Sequence, residues 1–173
     1  MKRKNCHFKK IIGIDPGKSG GICVIEDNKR MMAYKCPADV HEMCTLFDNI
    51  IKGTDISYLS VYIEKVWARP SDGRVSVFTF AQNYGHWEAI VASKGIEPEY
   101  VIPSTWMKHF NVPSGLKKQD RKNHIKGLAN NIISYCYDYD DYYKGNKYQF
   151  RGKVTLATAD AIMIARYGID KTT

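Results

Sequence analysis

The chain has 173 residues, enough for one domain with a substantial core, and 44% of them are hydrophobic against 25% charged. Its 26 Lys and Arg outnumber 18 Asp and Glu, a net charge of +8. That excess favours a polyanionic partner, because basic groups beside phosphates release condensed counterions. Five cysteines without close pairs argue against a disulfide framework and predict a reducing, cytoplasmic compartment. No run approaches membrane-spanning length, and the basic residues 1–4 lack the apolar stretch that a signal peptide needs. Cys36, His41 and Cys44 have no second pair to complete a zinc site.

Residues 8–15 read as a first strand that ends in Asp15, followed by the Pro16-Gly17 turn. Asp before Pro-Gly is ordinary turn chemistry, so at this point Asp15 is either a turn opener or a functional carboxylate. A second strand over 20–26 and a third over 30–36 are joined by Asp27-Asn28, a hairpin signal, so the chain opens with an antiparallel meander. Residues 39–51 carry apolar side chains at helical spacing. Residues 58–66 alternate and are rich in β-branched and aromatic types, predicting a fourth strand whose end carries Glu64. A loop over 68–74 leads into a long helix over 76–94, which Gly85 interrupts. A mid-helix glycine costs about 1 kcal/mol against alanine unless another backbone comes close. A short fifth strand over 97–102 precedes a helix start at 103–106 with a capping hydroxyl. The basic run 117–126 opens the next helix, and its charge, nearly all of one sign, leans toward phosphate contact rather than a merely solvated face. The Tyr- and Asp-rich segment 135–151 reads equally as a loop or as a partner surface. A last helix spans 155–168, with Gly168 as its stop.

That last helix is apolar almost all round, with Leu156, Asp160, Met163, Ile164 and Tyr167 on one stripe and Ala161, Ile162 and Ala165 opposite. Asp160 is therefore expected in the interior or at its rim, where an ionised carboxylate must be paired or bound to a metal. The plain alternatives are a salt bridge to Arg166 or Lys153, or an interaction with the helix N-terminus. Two acids at strand outlets and one on a buried helix are the parts of a divalent-metal site, since Mg²⁺ takes a few carboxylates plus water and phosphate oxygens. Two such ions ~4 Å apart suit phosphodiester cleavage.

The motifs IIGIDPGKSGG, IEKVWARPSDGRVSVFTFAQNYGHWEAI, VIPSTWMKHF and TADAIMIARYG together resemble the RuvC-type Holliday junction resolvases, in particular their bacteriophage-like branch. Each motif alone is weak; the four in this order span almost the whole chain. The resemblance implies a single RNase H-like domain over residues 1–173. Its α/β fold would be a five-stranded mixed sheet, the first three strands an antiparallel meander, with helices on both faces. It also implies a homodimer in a bacterial or phage-infected cell that binds four-way DNA and nicks two strands symmetrically, using Mg²⁺ or Mn²⁺, two ions per site. Carried over by position, Asp15, Glu64 and Asp160 become the metal ligands, and Lys118 joins them as a catalytic residue near the scissile phosphate. The DNA-binding set is Lys18, Trp67, Arg69, Arg74, Lys108, Lys117, Arg121 and Lys122. Trp67 and Arg69 are the candidates for the junction centre, where an aromatic group can replace lost stacking. Phe78 and Tyr84 fall on the helix that corresponds to the dimer interface.

One departure stands out. The family usually carries a fourth acid one turn before the last-helix aspartate, and here those positions are Leu156 and Ala157. Either a second metal is held weakly, or Asp138, Asp140 or Asp141 supplies the oxygen, or the chain binds junctions without cutting them. Two further readings compete: a less specific flap or fork nuclease, and an actin- or Hsp70-like ATPase suggested by the strand and Asp-x-Gly turn. The second needs two domains, more than 173 residues supply.

Overall fold

The computed structural model describes residues 9–27, 30–68, 73–138 and 149–172, with the side chains of 135–151 left aside. Arg69, Asp140 and Asp141, the turn residue Asn28 and the basic start thus lie outside the described residues, as does the side chain of Asp138. The elements are β1 (Lys10–Asp15), β2 (Gly21–Glu26), β3 (Arg30–Lys35), α1 (Val40–Ile51), β4 (Leu59–Glu64) and α2 (Arg74–Ser93). They continue with β5 (Glu99–Val101), α3 (Pro103–His109), α4 (Lys118–Asp138), β6 (Gln149–Arg151) and α5 (Ala159–Thr172).

The strands form one mixed sheet in the order β5-β4-β1-β2-β3-β6. The meander β1–β2–β3 is antiparallel; β4 lies parallel to β1, and β5 parallel to β4. The five expected strands are all present. A sixth, short strand from the segment 135–151 pairs parallel with β3 at the far edge.

Alternation sorts the side chains to two faces, as the two-residue period of a strand requires. Ile12, Ile14, Ile22, Val24, Val61 and Ile63 meet Met43, Phe47 and Ile50 of α1 and Trp87, Ile90 and Val91 of α2. Ile11, Cys23, Ile25, Tyr62 and Val101 meet Trp106 of α3, Ile125 and Ala129 of α4, and α5. Helices therefore cover both faces, which is why β1 reads as an unbroken apolar run. α5 packs closest, because a Cβ on Gly13 would overlap the backbone at Ala161 and Ala165.

Three local expectations are corrected. α3 has Ile102 at its N-cap with no side-chain cap; Pro103 at the first helical position, whose missing N–H is an orphan there anyway, starts the helix instead. α5 begins at Ala159, because Thr155 and Thr158 fold the residues before it into a turn: Thr155 Oγ1 accepts from Ala157 N and Thr158 N, and Thr158 Oγ1 donates to Lys153 O. Leu156 is consequently exposed rather than part of the buried stripe. Nor does Gly168 end the helix, which continues to Thr172; a Cβ there would collide with the Tyr62 ring, so close approach explains the glycine. Gly85, by contrast, has open space around it inside α2.

Candidate active site

Asp15 and Glu64 end two neighbouring parallel strands. The register pairs Ile14 with Ile63, so the next step sets the two carboxylates side by side. In parallel strands paired positions point to the same face, here the α5 face shared by Ile11 and Tyr62. The N-terminus of α5 lies over the same end of the sheet: Gly21, the partner of Asp15 in β2, would touch Ala157 O if it carried a Cβ. Asp160 sits in the first turn of that helix, where the unpaired N–H groups favour a negative charge. Arg166, one of its expected partners, is instead bound to Asp170 at 2.8 Å. Among the described residues no cation lies within ion-pair distance of Asp160.

The turn after Asp15 is held tightly. Gly17 N donates to Asp15 Oδ1 at 3.0 Å, Gly20 N to Gly17 O at 2.8 Å, and Cys36 N to Gly20 O at 2.9 Å. From α2, Asn83 Nδ2 donates to Pro16 O at 2.7 Å. A side chain at Gly20 would overlap the Asp15 carboxyl, which is why the small-residue turn can wrap this acid. Asp15 therefore orders the turn, one of the two readings its sequence context left open, and also stands at the sheet's end.

The three acids sense one another. Burial, then the charge of Asp15, push Glu64 up to about 8, with Asp160 adding to the effect. The Trp106 N–H and Arg121 pull Glu64 the other way. Burial and Asp15 likewise raise Asp160 to about 7, opposed by Lys122 and Arg121. Asp15 is raised by burial, against the Gly17 hydrogen bond and Lys122. Negative charge is thus crowded at one place and only partly offset by α4. That is the chemistry a hard divalent cation suits: oxygen donors whose charged form is disfavoured until a positive charge arrives. Among the described residues no three His, Cys, Asp or Glu side chains close up far enough to hold one ion as they stand.

Beside Glu64 opens a cleft of about 1000 Å³, walled by α2 and lined by Lys18, Lys35, Trp67, Phe80, Tyr84 and Lys118 among others. Trp67 is 63% exposed at its rim. Arg121 and Lys122 are half-buried toward the acids, whereas Lys117 and Lys118 are exposed at the start of α4. Arg74, Lys108 and Lys117 are also exposed but do not line the cleft. Phe78 is 70% exposed on α2, while Tyr84 leans on Phe80 with ring centroids 5.9 Å apart. Sequence reasoning left three participants unassigned. Lys35 was legible as a strand-end cation opposite Gly21, but Asn83 and Trp106 acquire their partners only through the fold.

No family model and no curated protein matches this sequence. Among solved structures, that of T. thermophilus RuvC in complex with a Holliday junction substrate aligns over 90% of this chain and 90% of its own, at 13% identity and a TM-score of 0.53. A second Thermus thermophilus RuvC structure aligns over 94% of this chain and 97% of its own, at 14% identity and a TM-score of 0.49. With its meander, its parallel β4 and β5 and its helices on both faces, the chain has a RuvC-like fold.

Proposed function

We propose that this protein is a metal-dependent endonuclease that resolves four-way DNA junctions by paired nicks, acting as a homodimer. The observation that carries the reading is the crowding of Asp15, Glu64 and Asp160 at one end of the sheet, each raised by burial and partly offset by Arg121 or Lys122. The likeness of fold to a resolvase bound to a junction and the net charge of +8 support it.

Asp15, Glu64 and Asp160 would hold the divalent cations, Mg²⁺ or Mn²⁺, two per site. When bound, such ions offset negative charge building up on the phosphate and favour deprotonation of the attacking water. The chain's own cations handle the substrate. Lys118, at the first turn of α4 and on the cleft wall, meets a phosphate oxygen near the cut; Arg121 and Lys122 lower the repulsion between acids and DNA. Lys18, Arg74, Lys108 and Lys117 extend the backbone contact. Trp67 offers an exposed indole for stacking at the branch point, a role shared with Arg69. Phe78 and Tyr84 on α2 face the second protomer.

A junction-binding protein that does not cut is the second reading, favoured by Leu156 and Ala157 where a fourth acid would stand. One experiment separates the two: a labelled four-way junction incubated with protein over a Mg²⁺ titration. The nuclease gives symmetric nicks that disappear in Asp15→Asn, Glu64→Gln and Asp160→Asn, each still shifting the junction in a gel without metal. A shift with no nicked product at any Mg²⁺ or Mn²⁺ concentration establishes the binder. Any one amide variant that cuts at the wild-type rate removes its residue from the site.

A further inference from the structure

The second half of the VIPSTWMKHF motif contains an indole whose position is tied to the site. Trp106 is fully buried in the core shared by α3, α4, α5 and the sheet, and its Nε1–H donates to Glu64 Oε1 at 2.8 Å across 42 residues of sequence. We infer that Trp106 is a positioning residue for Glu64, fixing one carboxylate oxygen in the core so that the other is presented to the cleft and its cation. This rests on the nuclease reading above.

An indole N–H is a donor and never an acceptor, so the group it meets must be an acceptor; a carboxylate with a charge to stabilise is the strongest choice. Glu64 Oε2 makes no hydrogen bond among the described residues, and Glu64 lines the cleft, so the two oxygens have different surroundings. The ring itself is well fixed. α3 is clasped to α5 by His109, whose Nε2 lies 2.9 Å from Asp170 Oδ2 and whose ring stands edge-on to Phe110 and Tyr167. Arg166 holds the other Asp170 oxygen. Trp87 offers the contrast: equally buried on the opposite face, its Nε1 is the one buried side-chain nitrogen without a partner among the described residues. This fold therefore tolerates a buried indole for its bulk alone, yet at Trp106 the N–H is aimed at an acid of the site. A glutamate has three rotatable bonds, and an unpinned one must be ordered each time a cation binds. Partners that orient ligating groups typically change metal affinity by about 10- to 100-fold.

The test uses the whole protein labelled with ¹⁵N. Three tryptophans give three indole N–H signals, and Trp106→Phe, which keeps an aromatic ring but removes the donor, identifies the one from Trp106. Glu64→Gln is expected to move that signal and leave the Trp87 signal in place, and Mg²⁺ is expected to move it in the wild type but not in Glu64→Gln. In calorimetry Trp106→Phe is expected to bind Mn²⁺ about 10- to 100-fold more weakly, to need correspondingly more metal for half-maximal cleavage, and to bind the junction as before without metal. A Trp106 signal indifferent to Glu64→Gln, or a folded Trp106→Phe with the wild-type Mn²⁺ affinity, overturns the positioning role alone. Should Trp106→Phe not fold, Trp67→Phe and Trp87→Phe identify the Trp106 signal by elimination, and its Mg²⁺ response in the wild type against Glu64→Gln still decides it. A wild type that neither binds Mn²⁺ nor cuts overturns the nuclease reading and this role together.

Discussion

Single residues gain their meaning here from what crowds them. Glu64 stands at the buried end of β4, where an acid is raised even before its neighbours count. Burial first, then the charge of Asp15 with Asp160 adding to it, raise this carboxyl to about 8, so without a cation it holds a proton far more readily than an ordinary glutamate. Asp160 is similar at about 7. α4 answers with Arg121 and Lys122 close to the acids and with Lys118 outward on the cleft wall. That difference gives a prediction for one side chain. Lys118→Ala is expected to slow junction cleavage and to reduce the salt slope of junction binding by about one counterion, while the unfolding midpoint stays in place. Salt titrations by gel shift measure the slope; an unchanged rate and slope remove Lys118 from the phosphate. Asp15, Glu64 and Asp160 were legible because each is a charge at the end of, or inside, an apolar element. Leu156 misled, because its spacing fits the helical stripe while Thr155 and Thr158 divert the chain into a turn first.

Elements matter through the way they are fastened. α2 covers one face of the sheet through Trp87, Ile90 and Val91, and also reaches the turn that carries Asp15 through Asn83. The same amide nitrogen lies 3.4 Å from Cys36 Sγ, so one side chain links α2, the turn after β1 and the residue after β3. Asn83→Ala leaves the Pro16 carbonyl without that donor and is expected to cost about 1 kcal/mol of stability, with cleavage reduced more than junction binding. Urea unfolding and the junction assay check the two parts, and an unmoved urea midpoint sinks the first. Nothing in the sequence around Asn83 signals this; it is one polar residue among several on a helix with a broad mixed face. The first five strands, by contrast, were readable to within a few residues, β1 and β2 most plainly, because burial on both faces leaves an apolar run bounded by Gly, Pro and Asp.

At the scale of the whole molecule the acids link folding to pH. Glu64 and Asp160 have ordinary values of 4.5 and 3.8 and stand near 8 and 7 in the fold. The folded state therefore binds more protons than the unfolded chain between those limits, and stability falls as pH rises through them. The contribution is complete below about pH 4 and lost above about pH 8. In EDTA the Tm is expected to decline from about pH 5 to about pH 8.5, with a shallower decline in Glu64→Gln and Asp160→Asn. Mg²⁺ at the alkaline end is expected to raise the wild-type Tm more than that of either variant, because a ligand of the folded state alone stabilises it. Parallel slopes in wild type and variants would show that these acids do not crowd one another in solution. Among the described residues no helix is long and apolar enough to cross a membrane.

The succession of the first five strands and the helices between them, and the place of three carboxylates on apolar elements, were written in the linear pattern of apolar and charged residues, whereas the mixed sheet with helices on both faces came from the family resemblance. Hydrophobic period and turn chemistry act over a few residues, and a sequence displays such short-range physics directly. What the chain could not declare is which oxygen Trp106 binds, which carbonyl Asn83 supports, why Gly13 and Gly168 lack side chains, and that residues 149–151 extend the sheet. These depend on partners 42, 67 or more than 100 residues away, and such partners meet only when the sheet is assembled and α5 settles across it.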